Sequence, residues 1–168
     1  MRQSEQSKTW MVEALFTLMK TKPYSAITIK DITEKAGVSR LTFYRNFETK
    51  EDIIRYHMLT GFWEYMAELK HIPNLQLKQM IALCYRFWDD RKEEIQMLSS
   101  QNLGWLIREP FEKFLGSVLD EMGMSEKYSY FQIQFLIGGM LSDMLAWLDD
   151  PKDESPEDIA EEIIQIIK

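Results

Sequence analysis

Apolar residues recur every three or four positions along almost the whole chain, which is the spacing of amphipathic helices. In the first such segment, about 7–20, the apolar stripe consists of Met11, Ala14, Leu15, Leu18 and Met19. No segment shows the alternation of apolar and polar residues that a half-buried strand requires. The pattern therefore predicts an all-α protein with about nine helices.

Three successive helix starts carry capping residues. Thr28 is followed three positions later by Asp31, and Thr49 by Asp52, as in a capping box, while Ser39 supplies a cap between them. The helix that follows Thr49 is predicted to run to about residue 70. Later helices are predicted near 75–88, 91–99, 109–123, 125–149 and 156–167, separated by HIPN, DDRK, REP, EMGMS and DDPKDESPED.

A single glycine separates the two short helical patterns of the segment DITEKAGVSRLTFYRNF. A helix that ends at Ala36 needs a left-handed residue to turn sharply, and Gly37 adopts that conformation without a steric penalty. Ala36 is small enough for two helices to cross closely, Val38 fills the corner, and Ser39 caps the next helix. These residues predict a helix–turn–helix, whose second helix can lie in the major groove of DNA.

The second helix of this corner presents polar side chains suited to nucleic acid. Arg40 can bond guanine in bidentate fashion, and Thr42 can bond a base or touch a thymine methyl group. Tyr44, Thr28 and Lys50 are suited to phosphates, and Lys50 also lies beside a helix N-terminus. The pattern alone fits a helical hairpin with a solvated polar face equally well, so both interpretations remain open.

The charge of the chain is divided unequally between its two ends. The formal net charge is −7, which at first argues against a nucleic-acid partner. Residues 1–56 nevertheless carry ten Lys and Arg against seven Asp and Glu, net +3, whereas residues 57–168 carry ten against twenty, net −10. Phosphate contacts need only a local basic face, so one end of this chain can bind DNA. The acidic half can equally serve solubility.

The segment TIKDITEKAGVSRLTFYRNFETKEDII, residues 28–54, resembles the DNA-binding region of TetR-family (tetracycline-repressor-like) transcriptional regulators. The resemblance covers roughly the first third of the chain, and beyond about residue 61 only the all-helical layout is similar. It implies a DNA-binding domain over 1–55 and an effector-binding and dimerisation domain over 56–168. It further implies a homodimeric repressor that binds a palindromic operator in double-stranded DNA. The DNA contacts that it implies are Thr28, Ser39, Arg40, Thr42, Tyr44 and Lys50.

The last two predicted helices are unusually apolar for surface helices. Gly138, Ser142 and Ala146 form a strip of small residues, and the apolar stripe of the final helix is too wide for one contact face. One side can pack within the chain and the other against a second copy, through Gly138, Ser142, Ala146, Ile159, Ile163 and Ile167. The alternative is a terminal helix pair that is fully buried in a monomer.

Aromatic residues and methionines are frequent in the middle of the chain. The candidates for an effector pocket are Trp63, Met66, Tyr85, Trp88, Trp105 and Phe135, although such residues more often form a core. The resemblance, and not these residues, implies an effector, which we expect to be small and apolar or aromatic. The polar candidates His57, Tyr85, Gln101, Asn102 and Arg108 are more often exposed or structural than ligand-binding.

Several other classes of protein receive no support from the sequence. Two histidines and one cysteine are too few for a zinc or Cys–His site, no phosphate-binding glycine loop occurs, and we expect no enzyme, metal or cofactor. No run of eighteen apolar residues suggests a membrane span, and the single Cys84 fits a reducing cytoplasm. The alternative to a ligand-responsive repressor is a helical DNA-binding adaptor that a partner protein controls.

Overall fold

The computed structural model describes residues 3–121, 123, 126–150 and 154–167. Over these residues the chain folds into nine α-helices and one short 3₁₀ turn, Tyr24–Ala26, which confirms the predicted all-α class. The helices are α1 (Gln3–Met19), α2 (Ile29–Ala36), α3 (Arg40–Asn46), α4 (Lys50–Leu69), α5 (Leu77–Asp89), α6 (Lys92–Ser100), α7 (Trp105–Glu121), α8 (Tyr130–Asp149) and α9 (Pro156–Ile167).

The predicted helix starts are confirmed by the capping hydrogen bonds. Thr28 and Thr49 each accept the N–H of the aspartate three residues later, and each aspartate accepts the backbone N–H of its threonine. Ser39 accepts the N–H of Thr42 at the start of α3. Ser129 and Gln132 form a further reciprocal cap at the start of α8. Side chains therefore satisfy N–H groups that the first turn of a helix leaves without carbonyl partners.

Two predicted boundaries were wrong. The segment REP does not interrupt the chain, because α7 begins at Trp105 and runs through Pro110. Proline removes a single helical hydrogen bond at this position, and its ring is buried, so packing offsets part of the loss. The helix predicted from 125 begins instead at Tyr130, after the Ser129 cap, and residues 124 and 125 lie outside the described part of the chain.

Helix α4 connects the N-terminal helices with the rest of the fold. Helices α1, α2 and α3 pack together, α1 also packs on α4, and α4 packs along α7. Helix α5 packs on α9 and α8, and α7 also contacts α8. Because α4 runs from Lys50 to Leu69 without a break, it crosses the predicted domain boundary between residues 55 and 56.

A cluster of aromatic rings lies where α4, α5 and α7 meet. The ring of Phe62 stacks on that of Phe114 at 4.7 Å between centroids, and it also contacts Phe87, Trp88 and Phe111. Phe62, Trp88, Phe111 and Phe114 are all buried. Burial of such rings contributes roughly 2–3 kcal/mol each, so this cluster is a principal source of stability for the larger part of the chain.

Candidate nucleic-acid interface

The turn between α2 and α3 has the backbone geometry of a sharp helical corner. Gly37 is left-handed, with φ 67° and ψ 28°, and its N–H points to the carbonyl groups of Thr33 and Glu34. The N–H of Val38 donates to the Thr33 carbonyl oxygen at 3.0 Å. These bonds satisfy the last carbonyls of α2. A side chain at residue 37 would be strained even though no described atom lies within 4 Å of the place that its Cβ would take.

One face of α3 fixes the helix to the N-terminal core. Phe43 is fully buried, as is Ile32 of α2, and Phe47 follows at the end of α3 with its ring 6.2 Å from that of Phe43. The spacing of four residues places Phe43 and Phe47 on the same side. The opposite side of α3 is therefore held outward by packing.

The outward face of α3 carries Arg40, Leu41, Tyr44 and Arg45, all exposed. In the described part of the chain, the Arg40 guanidinium has no carboxylate within ion-pair distance. This leaves Arg40 with its full hydrogen-bonding capacity for a base or a phosphate.

Leu41 was not among the predicted DNA contacts, yet it is 60% exposed in the middle of this polar face. Side chains two positions apart in the sequence lie about 200° apart around a helix, so Leu41 lies opposite the buried Phe43. The position of Leu41 relative to Phe43 and Phe47 in the sequence could have identified it. An exposed leucine at this place suits apolar contact with a thymine methyl group.

Ser39 and Thr42 are brought together at the start of α3. Their hydroxyl oxygens lie 2.9 Å apart, and the Thr42 N–H donates to Ser39 Oγ at 3.0 Å. Asn46 adds a bond from its side-chain amide to the Thr42 carbonyl oxygen at 2.7 Å. The Ser39 hydroxyl therefore caps the helix, the Thr42 hydroxyl bonds to it, and each oxygen retains further acceptor capacity.

Thr28 is exposed at the start of α2 but takes part in a local network. Its N–H and its hydroxyl both donate to Asp31 Oδ2 at 2.7 Å, and Lys22 Nζ lies 2.8 Å from the same oxygen. The bond from Lys22, followed by the bonds from Thr28, holds the pKa of the Asp31 carboxyl well below its usual range. The carboxyl is therefore ionised at neutral pH, and it holds the cap in place.

Lys50 differs from the other predicted DNA contacts because its ammonium group points into the protein. Its Nζ donates to the carbonyl oxygens of Tyr24 at 2.7 Å and Ile27 at 2.9 Å, and it lies 4.0 Å from the centre of the Tyr24 ring. Burial lowers the pKa of this ammonium group. Lys50 thus binds the segment between α1 and α2 to the start of α4, and its contact with phosphate stays a prediction.

A second exposed surface, of the opposite chemistry, lies on α8 and α9. Phe131, Phe135 and Ile166 are exposed by 81%, 72% and 74%. Neither helix contains a lysine or an arginine. Of the predicted dimer residues, Ser142 and Ala146 are exposed, Gly138 and Ile163 are half-buried, and Ile159 is buried within the chain. The side chain of Ile167 lies outside the described part of the structure.

A groove of about 540 Å³ runs between α8 and α9. Its apolar lining includes Phe135, Ala146, Trp147, Ile159, Ile163 and Ile166. Carboxylates of Asp143, Asp150, Glu154 and Glu162 also line it, and no basic side chain is found among its described lining residues. The hydroxyl of buried Tyr85 donates to Asp143 Oδ2, which fixes one of these carboxylates.

The structure does not bring the six predicted pocket residues together. Trp63 and Trp105 are exposed, Phe135 lies in the groove between α8 and α9, and Met66, Tyr85 and Trp88 are buried. Among the polar candidates, His57 is paired with Glu94. Aromatic residues at helical spacing serve equally as core and as pocket lining, and only tertiary packing distinguishes these roles, so an effector pocket at these residues stays a prediction.

The cavity that the described residues enclose among the larger helices is small. An apolar cavity of about 40 Å³ lies among α4, α5, α7 and α8, lined by Tyr65, Met80, Cys84, Phe114, Leu136, Met140 and six other apolar or aromatic residues. Pockets for drug-sized ligands measure about 300–1,000 Å³. The cavity is therefore too small for such a ligand unless the surrounding helices move apart.

The corner, its buried inner face and its exposed polar outer face define a helix–turn–helix DNA-binding protein. A sequence profile of bacterial regulatory proteins of the tetR family matches residues 12–56. A second profile, of a transcriptional regulator C-terminal region, matches residues 76–168, which is more than half of the chain. The chain belongs to the TetR family of transcriptional regulators.

Solved structures show the same fold. Lin0861 from Listeria innocua matches with a TM-score of 0.82 and 19% identity, over 97% of this chain and 90% of that chain. The dihydroxyacetone kinase operon activator DhaS matches with a TM-score of 0.56 and 18% identity, over 95% and 93%. The TetR family repressor AlkX from Dietzia sp. strain DQ12-45-1b gives 0.54 and 18%, again over 95% and 93%. No curated protein matches the sequence.

Proposed function

We propose that this regulator acts as a homodimeric repressor that binds a palindromic operator in the cytoplasm. Residues 1–55 form the DNA-binding domain, and residues 56–168 form the dimerisation and regulatory domain. The observation that carries the proposal is the presence of two exposed surfaces with unlike chemistry. The face of α3 is basic and polar, whereas the face of α8 and α9 is apolar and lacks basic residues.

The DNA side of the proposal rests on the outward face of α3. Arg40, Tyr44 and Arg45 are exposed there, and Leu41 supplies an apolar surface between them. The helix has seven residues, so it reaches few base pairs. Two copies related by a two-fold axis would double that contact and select an operator whose half-sites lie about 34–36 Å apart, or a multiple of that distance.

The dimer side rests on the aromatic and aliphatic surface of α8 and α9. Side chains as large as Phe131 and Phe135 are rarely so exposed on a monomeric protein in such a continuous patch. Helix α8 is long and apolar enough to cross a bilayer, and only four of its residues are buried within the chain. Asp143 lies within this helix, however, and an ionised carboxylate costs roughly 2.5–3.5 kcal/mol at the centre of a membrane helix. A second copy of the chain is therefore the better partner for this face.

Repression follows from occupancy of the operator, because a dimer on the promoter excludes the transcription machinery. A small apolar or aromatic effector would act by entering the cavity beside Tyr65 and Phe114 and enlarging it. Movement of α4 and α7 would then change the separation of the two α3 helices. Since α4 begins next to the DNA-binding helices and packs along α7, it connects the two events.

Control by a partner protein is the second candidate. It is favoured by the small size of the internal cavity, about 40 Å³, together with the dense packing of rings around Phe62. A protein that binds the outer surface of the dimer requires no internal cavity. Addition of small apolar and aromatic compounds to the protein–DNA complex separates the candidates, since only the first predicts release of DNA.

The proposal is tested by measuring mass and DNA affinity together. Light scattering should give the mass of a dimer for the wild-type chain at micromolar concentration. Phe135→Glu should give a folded monomer, because the side chain is exposed in the single chain but a charge there would be buried without a partner in the dimer. Operator affinity should fall by about 100-fold or more, since each half-site then binds independently.

Trp63→Glu provides a matched control. Trp63 is a similarly exposed aromatic residue on α4, outside the proposed interface, so this variant should remain dimeric and bind the operator as the wild type does. A wild-type chain that is monomeric and binds a single half-site with full affinity would contradict the proposal. So would a Phe135→Glu chain that remains a dimer.

A further inference from the structure

The end of α6 reaches across to the DNA-binding helices through one side chain. Gln101 follows the last residue of α6, and its Oε1 accepts the backbone N–H of Tyr24 at 2.5 Å. Its Nε2 donates to the carbonyl oxygen of Met19 at 3.4 Å. Met19 is the last residue of α1, and Tyr24 is the first residue of the 3₁₀ turn, so a single amide joins both sides of the break between them.

The backbone around Gln101 fixes the direction of its side chain. Asn102 is left-handed, with φ 59°, and the N–H of Leu103 donates to the Leu98 carbonyl oxygen at 2.8 Å. This is the hydrogen bond that closes a helix in a tight reversal, and it leaves the residue before Asn102 with little freedom. Leu98 and Leu103 are both buried, which anchors the reversal to the core.

The same segment of backbone is held from its other side by Lys50. The Lys50 ammonium group donates to the carbonyl oxygens of Tyr24 and Ile27, while Gln101 accepts the Tyr24 N–H. Tyr24 is thus bound through its N–H by α6 and through its carbonyl group by α4. Thr28, the cap of the first helix of the corner, follows only four residues later.

We infer that Gln101 is a positioning residue for DNA recognition, which fixes the orientation of the DNA-binding helices relative to the dimer. Helix α4 is one connection between the two parts of the chain, and a body attached by one helix can rock and twist about it. The bonds of Gln101 provide an attachment away from α4 and so restrict that motion. This inference rests on the proposed function, because orientation matters only if two copies must read two half-sites together.

The consequence is selectivity for the spacing between half-sites. One base pair changes the half-site separation by about 3.4 Å, so a rigid dimer accepts one spacing and a loosely attached one accepts several. Loss of Gln101 should relax this selection without changing how a single α3 helix reads its own half-site. A role in folding alone would not alter the spacing preference of the protein that remains folded.

The experiment uses the full chain and an operator selected from random DNA. Palindromes with the preferred spacer, with one base pair removed and with one added are titrated, together with a single half-site. Gln101→Leu should reduce discrimination against the altered spacers by at least about fivefold, with half-site affinity unchanged within about twofold. Gln101→Glu, which keeps the acceptor for Tyr24, should lose less discrimination.

Gln96→Leu is the matched control. Gln96 lies within α6, and its Nε2 donates to the Leu148 carbonyl oxygen at 3.0 Å, which is a contact that does not involve the DNA-binding helices. This variant should retain the spacing preference of the wild type. Circular dichroism confirms that each variant is folded, and Gln101→Ala, which also removes both bonds, carries the test if Gln101→Leu is not folded.

The inference is overturned if the folded Gln101 variants keep wild-type discrimination, or if half-site affinity falls as much as affinity for the palindrome. Failure of the proposed function can be distinguished from failure of this inference, because only the former changes the result for the wild-type chain. A wild-type chain with no preference among the three spacers would contradict the proposal that a dimer binds two half-sites together, whatever the variants do.

Discussion

The outward faces of α3 and of α8 with α9 are both exposed, but they are built by different means. Around α3, caps at Thr28 and Ser39 and the left-handed Gly37 fix the backbone, and polar side chains then extend into solvent. On α8 and α9, the exposed residues are apolar, and their position follows from how these helices pack on α5. The first face is suited to a charged, hydrated partner, whereas the second is suited to an apolar partner whose contact excludes water.

The difference shows that the two surfaces affect the free energy of the folded chain in different ways. The hydrogen bonds of the caps are local, and they leave the side chains of Arg40 and Tyr44 exposed. Exposed rings such as Phe131 and Phe135 are unfavourable in water until another surface covers them. The larger part of the chain, α4–α9, must therefore be stable enough to tolerate these exposed apolar residues. The aromatic cluster around Phe62 contributes much of this stability.

The largest effect is expected from removal of a ring at the centre of that cluster. Phe62→Ala should lower the free energy of unfolding by about 3–5 kcal/mol, because it removes contacts with four neighbouring rings and leaves a cavity. Denaturant titration measures the change. Trp63→Ala, at the adjacent exposed position, should change it by less than about 1 kcal/mol. Equal losses of unfolding free energy would mean that the cluster is not a principal source of stability for the larger part of the chain.

On the DNA-binding face, Arg40→Ala should weaken binding to the preferred operator by about 1–3 kcal/mol and relax the base preference at one position of each half-site. Stability should not change, because the described structure gives the exposed guanidinium no partner within the chain. Titrations with operator and with random DNA measure the two affinities. An equal loss on both would show that Arg40 contacts only phosphate.

Lys50, at the start of α4, provides the contrasting case among the predicted DNA contacts. If Lys50→Met leaves two carbonyl groups without their donor, the free energy of unfolding should fall by about 1–3 kcal/mol. If Lys50 instead contacts phosphate, binding to all sequences should weaken and the salt dependence should lose about one unit of slope per subunit. Measuring stability and the salt slope on the same samples separates these roles, and Arg40→Ala supplies the reference for a residue that affects only binding.

The sequence predicts the DNA-binding part in detail because its determinants are local. A capping box needs two residues three positions apart, and a left-handed turn needs one glycine, so Thr28, Asp31 and Gly37 could be located without tertiary information. The internal direction of Lys50 could not, since its carbonyl partners lie 23 and 26 residues away in the chain.

The larger part of the chain, α4–α9, shows more clearly what cannot be predicted from the sequence. The buried positions of Tyr85 and Trp88, and the exposed ones of Trp63 and Trp105, depend on which helices meet, and all four fit one helical pattern equally well. Pro110 likewise suggested a break that α7 does not have. The apolar character of α8 was visible in the sequence, but its exposure required the fold.

A smaller effect is expected at the turn of the corner. Gly37→Ala should destabilise the protein by about 1 kcal/mol, because φ is 67° and a Cβ atom there strains the backbone without meeting any described atom. Gly37→Asn should cost less, since asparagine tolerates this conformation. Thermal unfolding measures both. If the two variants lose the same stability, crowding rather than backbone conformation determines the choice of glycine.

The smallest effect concerns a hydrogen bond between α4 and α6, in the larger part of the chain. His57 Nε2 lies 2.9 Å from Glu94 Oε2, and this hydrogen bond, with smaller contributions from Arg91 and Lys20, lowers the pKa of Glu94 below its ordinary value of 4.5. A carboxyl whose pKa is lowered by folding stabilises the protein above the ordinary value. That contribution is lost as the pH falls from about 4.5 through the lowered pKa. Glu94 is 37% exposed, so solvent screening limits the effect to less than about 1 kcal/mol.

Thermal unfolding between pH 3 and pH 7 tests this contribution with Glu94→Gln and, as a control, Glu93→Gln. Both changes remove one carboxylate from the first turn of α6, so any loss of interaction with the helix terminus is shared. Only Glu94→Gln should lower the stability near neutral pH, and its difference from the wild type should shrink below about pH 4.5. Because the pair lies away from α3, operator affinity at neutral pH should follow stability and not change independently. Identical pH curves for the two variants would remove the His57 contact from the account of how α6 is held to α4.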